Sequence, residues 1–243
     1  MTTFHKLHVD GGAVIEYVLR RSKRRRKTVE ISVSDGTVVV SAPMRTPNQE
    51  IQAIVQKRSH WIMNLLEAHA QAPPPIRLVT GDPLPYLGRD LTLVVEETDA
   101  GRPSALLDGD SLVASAPRGL PERERREAVR AALVAWYQER AAEILADSVA
   151  RWLPVMGRSD APRLLVRDQR TRWGSCSADG TLRFNWRLAM LEPELIDAVA
   201  VHELSHLEVM NHSPAFWDVV LRAMPDARAR RKRLKEAGRC LPL

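Results

Sequence analysis

His202-Glu203-Leu204-Ser205-His206, followed six residues later by His212, brings three imidazoles and a carboxylate within eleven residues. The run Leu195-Ile196-Asp197-Ala198-Val199-Ala200-Val201 leads into it with helical apolar spacing and predicts a buried helix continuing through residues 198–208. On such a helix His202 and His206 lie one turn apart on one face, and both imidazoles can reach a single ion. Glu203 falls beside that face, close enough to polarise a bound water without ligating. Three protein ligands, an open fourth position and an adjacent carboxylate base are what a hydrolytic zinc site requires. The expected metal ligands are therefore His202, His206 and His212, the expected ion is Zn2+, and the expected general base is Glu203.

The third ligand follows from the chain's exit from the helix. Asn211 tolerates the left-handed conformation and is expected to swing His212 back toward the ion. Ser213-Pro214 then reads as N-cap and first residue of a new helix carrying Phe216, Trp217, Val220 and Leu221. Glu208 falls on the wrong side of the ligand helix. Glu236 and Asp226, at longer spacing, stay open as alternatives to His212, and Cys176 is either a further ligand or a small buried thiol.

These residues resemble a known family. His202-Glu203-x-x-His206-x5-His212-Ser213-Pro214-x-Phe216-Trp217, preceded by Arg172-Trp173-Gly174-Ser175-Cys176-Ser177 and Phe184-Asn185-Trp186-Arg187-Leu188, is similar to the YgjP-like zinc metallopeptidases, relatives of the SprT and Wss proteins. The likeness extends to Arg21-Ser22-Lys23-Arg24-Arg25-Arg26-Lys27-Thr28-Val29-Glu30-Ile31, so it spans most of the chain. It implies a zinc hydrolase acting on peptides, and also admits hydrolysis of a nucleoside triphosphate between its phosphates. The histidine spacing matches metzincin peptidases too, but their glycine position is Val209 here.

Composition narrows the classes. With 243 residues and 44% hydrophobic content the chain can bury a large core. No apolar run reaches the ~20 residues needed to span a bilayer, and the polar start has no signal-peptide core, so a cytoplasmic protein is expected. Two cysteines, Cys176 and Cys240, make no disulfide framework. The net charge of +6 is concentrated in Arg20–Lys27 and Arg228–Lys235, segments that suit a nucleic-acid backbone or a polyphosphate. Aromatics at 5% do not interleave with either segment, which argues against a base-stacking platform.

An internal repeat organises the first half. Val38-Val39-Val40-Ser41-Ala42-Pro43 precedes a helical pattern from Asn48 to Leu66, and Leu112-Val113-Ala114-Ser115-Ala116-Pro117 precedes another from Glu122 to about Trp152. The two copies, with a seam at Pro73-Pro74-Pro75, are expected to pair into one small antiparallel sheet covered by helices. Leu164–Val166 and the alternating stretch from Leu182 to Leu188 read as strands, with Ser177-Ala178-Asp179-Gly180 as the turn before the second. The fold class is thus α+β: a β-rich region over 1–120, then a minimal zincin-like module over 121–243.

Peptide hydrolysis needs two more parts. No tyrosine or histidine follows His212, so the oxyanion stabiliser is expected upstream: Arg172 first, Asn185 second, with a structural ion pair as the alternative role for Arg172. An edge strand must align the substrate, and the strand ending at Leu188 is the candidate. A third class, a nucleic-acid-associated protein with a structural zinc, is opposed by Glu203, because a structural site closes its fourth position and has no use for a base.

Overall fold

The computed structural model describes residues 2–9, 12–34, 36–70, 76–169, 171–238 and 241–243. They divide into two units, Met1–Pro73 and Pro74–Leu243. In the first unit β1 (Thr2–His8) and β2 (Val14–Ser22) form a hairpin, as do β3 (Glu30–Ser34) and β4 (Thr37–Pro43). The hairpins join through a parallel β2–β4 pair, in the order β1-β2-β4-β3. The sheet is thus mixed, not antiparallel throughout. Ile15, Tyr17 and Leu19 alternate onto one face beside Val38 and Val40, and Ile51, Val55 and Ile62 from α1 (Asn48–Lys57) and α2 (Ser59–Ala70) fill that core.

Part of the first basic segment is occupied in this packing. Arg21 donates to Pro43 O, Met44 O, Thr46 O and Asn48 Oδ1, fastening the turn between β4 and α1. Arg25 pairs with Glu30.

The second unit opens with the same topology. Strands β5 (Pro83–Tyr86), β6 (Arg89–Thr98), β7 (Ser104–Asp108) and β8 (Ser111–Pro117) run in the order β5-β6-β8-β7, again with a parallel central pair. The repeat is therefore real in topology, but the copies build two separate sheets and not one. The strand ending in Ala-Pro is already flanked on both sides within its own copy, which leaves no ladder to share. The seam expected at Pro73-Pro74-Pro75 lies outside the described residues, as does Cys240.

Helix α3 (Glu122–Val155) buries Val129, Leu133, Trp136, Tyr137, Ala141, Leu145 and Val149 in a core shared with Leu84, Leu93 and Leu112 of the sheet. The Tyr137 hydroxyl donates to Pro85 O at 2.7 Å. The boundary placed at 120/121 from sequence falls inside this unit, where sheet and helix share one core.

A third sheet, of β9 (Leu164–Arg167), β10 (Gly174–Cys176) and β11 (Leu182–Asn185), has the order β10-β11-β9. The strand expected to reach Leu188 stops at Asn185, whose side-chain oxygen accepts from Arg187 N at 3.1 Å and caps a 3-10 helix over Trp186–Met190. Three helices follow: α4 (Pro193–Ser205), α5 (Pro214–Ala223) and α6 (Ala227–Ala237). No described helix is long and apolar enough to cross a membrane.

The turn into β11 is held by Asp179, which accepts from the Ser177 hydroxyl and from both the backbone and hydroxyl of Thr181. These bonds favour the carboxylate and lower its pKa from 3.8 to about 2. A depressed folded-state pKa contributes stability above the unfolded value, lost as pH falls through the folded one. Urea midpoints measured between pH 5 and about 2 should therefore fall more for the unsubstituted protein than for Asp179→Asn, and the two curves should converge at the acid end.

Candidate metal centre

Helix α4 starts at Pro193 in its first turn and buries Leu195, Ile196, Val199, Ala200, Val201 and Leu204. It ends earlier than the apolar pattern suggests, at Ser205, with His206 as C-cap in place of a helix running to 208. The Ser205 hydroxyl turns back onto Val201 O at 2.7 Å, and His206 Nδ1 lies 3.0 Å from Val209 O. That second contact makes Nδ1 the protonated nitrogen and leaves Nε2 as the free donor. Phe216 of α5 stacks on the His206 ring, 4.5 Å between centroids, and fixes its plane.

The route to His212 differs from the expectation. Among the described residues the non-glycine positions with positive φ are Leu78 and Leu87, so Asn211 is not left-handed. Its side chain makes the bend: Asn211 Oδ1 accepts from Ser213 N at 3.1 Å, an Asx turn that feeds Pro214 into the first turn of α5. His212 Nε2 is thereby brought 3.0 Å from His202 Nε2, and donor atoms of His202, His206 and His212 all lie within 4.8 Å of one another. The 3.0 Å contact is a hydrogen bond between the two rings, and it lies near the spacing of a shared ion, since nitrogens bound tetrahedrally at ~2.0–2.1 Å sit about 3.4 Å apart. Burial, then the neighbouring His206 and His212, hold His202 down to about 4, and burial also lowers His212, so both are neutral donors at ordinary pH.

The other acids and the thiol stand elsewhere. Glu208 is exposed, Asp226 accepts from Arg230 at 2.8 Å at the start of α6, Glu236 lies far along that helix, and Cys176 is outside the histidine cluster.

Glu203 is the buried acid of the site, 4% exposed, and its Oε2 has no hydrogen-bond partner among the described residues. Burial pushes its pKa up to about 8, with Arg172 pulling the other way. Space for it comes from Gly174: a Cβ there would meet Glu203 Oε1 at 2.5 Å and Cγ at 2.7 Å. The role of Gly174 is invisible in sequence, because a glycine amid polar residues reads as a turn and not as a close approach.

Arg172 is exposed, lines the groove beside His202, Glu203 and His212, and has no ion-pair partner among the described residues. Asn185 is buried with its amide committed: Nδ2 donates to Gln169 O at 2.7 Å and Arg172 O at 3.3 Å, and Oδ1 caps the 3-10 helix. It holds the loop that presents Arg172. The strand offered as the candidate to align a substrate, β11, is the centre of its sheet, and the edge beside Glu203 is β10. Asn185 N donates to Trp173 O and Ser177 N to Thr181 O, so by antiparallel alternation the Gly174 and Cys176 backbone groups point away from β11.

One histidine in the last turn of a helix, one at its C-cap and a third from the following loop form a cluster that could hold a metal ion, with a buried carboxyl group next to the first. Residues 27–237 match the YgjP-like, metallopeptidase domain family model, and the chain belongs to that family, which implies a divalent metal. No curated protein matches the chain. Among solved structures, the metallopeptidase zymogen abylysin of Pyrococcus abyssi is 21% identical, with a TM-score of 0.37 over 41% of this chain and 99% of its own. The zymogen of Methanocaldococcus jannaschii jannalysin is 18% identical, with a TM-score of 0.35 over 38% of this chain and 88% of its own.

Gly174→Ala should force the Glu203 carboxylate and β10 apart. We expect a loss of about 1–3 kcal/mol in denaturant unfolding with metal content retained, since no ligand touches residue 174. Unchanged stability would mean that the strand and helix yield freely at this contact.

Proposed function

We propose that the chain is a zinc-dependent peptidase whose ion is held by His202, His206 and His212 and whose general base is Glu203. The single observation that carries this is Glu203 Oε2, buried beside the three-histidine cluster with no hydrogen-bond partner among the described residues: a buried carboxyl oxygen left unpaired is free to exchange a proton with a water in the site. When bound, the ion supplies a Lewis acid for the scissile carbonyl and for the attacking water. Glu203 accepts the proton of that water and passes it to the leaving amine. Arg172 stabilises the oxyanion, and Asn185 acts through it by holding its loop. The outward backbone groups of Gly174 and Cys176 pair with an extended substrate as an added strand. The chemistry resides in 121–243.

Zinc is favoured by the donor set, three imidazole nitrogens with no thiolate. Glu203 argues against a purely structural ion. Casein and a nucleoside triphosphate panel assayed side by side separate peptide from phosphate hydrolysis.

His212→Ala should lose most of the metal measured by elemental analysis, and full occupancy in that variant would remove His212 from the ligand set. Glu203→Gln should keep the metal and the unfolding midpoint while casein hydrolysis falls by about 10³-fold. Turnover near the unsubstituted rate would end the general-base assignment.

A further inference from the structure

The cations of α6 are sorted by their surroundings. Arg230 donates to Asp226 and to Glu194 O, and Arg233 pairs with Glu192 and Glu194 at the start of α4. Arg228 and Arg231, three residues apart and so on one face, have no carboxylate partner among the described residues. Their guanidiniums stand over the Trp217 ring, 5.7 and 5.2 Å from its centroid. Of this pair only Arg231 enters the groove that contains His202, Glu203 and His212.

That groove is open and encloses about 750 Å³, solvent at its mouth included. Ala198, Val199, Val220 and Leu234 make part of its wall apolar, and among the described residues its cations are Arg172 and Arg231 and its one acid is Glu203, which the peptidase reading assigns to the proton. A guanidinium facing neutral imidazoles that gather a dication is repelled once the ion is bound, and stacking on Trp217 offsets only part of that cost. An anion arriving with the substrate relieves the repulsion, and the apolar wall matches the methylene stem of an acidic side chain.

We infer that Arg231 recognises a carboxylate on the substrate, so that this enzyme selects peptides presenting an Asp or Glu side chain, or a chain-terminal carboxylate, in the groove beside the metal. The inference rests on the peptidase reading, and the test separates the two. Zinc-loaded Glu203→Gln protein is titrated calorimetrically with amidated alanine hexapeptides carrying one Glu, scanned through every position, against the matching Gln series. The free-acid alanine hexapeptide distinguishes a terminal carboxylate from a side chain. One Glu position, or the free acid, should bind about 10-fold tighter than its neutral counterpart. Adding Arg231→Gln should abolish that gain, and adding Lys232→Gln, outside the groove, should leave it. Equal affinity for the Glu and Gln series with no gain for the free acid, or a gain that survives Arg231→Gln, overturns the proposal. Acid-selective binding by a protein whose unsubstituted form cleaves no peptide would refute the peptidase reading and leave the recognition standing. Peptide cleavage with no acid preference would do the reverse.

Discussion

The site depends on one close approach, the backbone of Gly174 against the side chain of Glu203. A carboxyl group buried without a partner avoids the cost of an isolated charge by holding its proton, and the packing around it keeps it in that position. Helix α4 is pinned by Leu195, Val199, Ala200 and Leu204 in the main core, and β10 is pinned by its ladder to β11. Between these two fixed elements the acid has room only because residue 174 lacks a side chain. Its raised pKa is the electrostatic counterpart of that confinement.

The clustering of the histidines was legible because its spacing is local: His202, Glu203 and His206 need only helical pitch, and Ser213-Pro214 announces a new helix from composition alone. What was misread depended on side chains acting at a distance. The apolar pattern carries α4 past Ser205, but the Ser205 hydroxyl and the His206–Val209 contact close the helix there. Asn211 was expected to bend the chain through its backbone and does so through its amide oxygen. The alternation from Leu182 to Leu188 holds at Arg183 and Arg187 but fails at Asn185, which is buried and caps a 3-10 turn in the middle of it, and every residue from Trp186 to Met190 except Arg187 is buried. Alternation cannot tell a central strand from an edge, so the substrate edge was assigned to β11 in place of β10.

The repeat teaches a related point. The matching Ser-Ala-Pro strands were visible, but β1 and β2 carry no comparable signature, and without them each copy looked too small to close a sheet of its own. Leu91–Val95 does read as a strand and becomes β6; with β2 beside β4 as β6 is beside β8, each copy contains two hairpins joined by a parallel seam, and neither needs the other's ladder. The second copy shares the core of α3, and its β5–β6 turn, through Leu87 N on Ala189 O, touches the 3-10 helix that leads into α4.

That turn has a consequence for how the ligand helix responds to its medium. Glu192, the residue before α4, is gripped by Arg233 on an exposed surface and also lies against Gly88, where a Cβ would approach its Cγ to 2.6 Å. The entrance of the helix is therefore held partly by charge open to water, whereas its far end is held by Phe216 against His206. Rising ionic strength screens the first and leaves the second untouched. One helix is thus sensitive to its electrolyte at the end remote from the histidines and indifferent to it where they gather, so the ligand geometry is insulated from the saltiness of its surroundings.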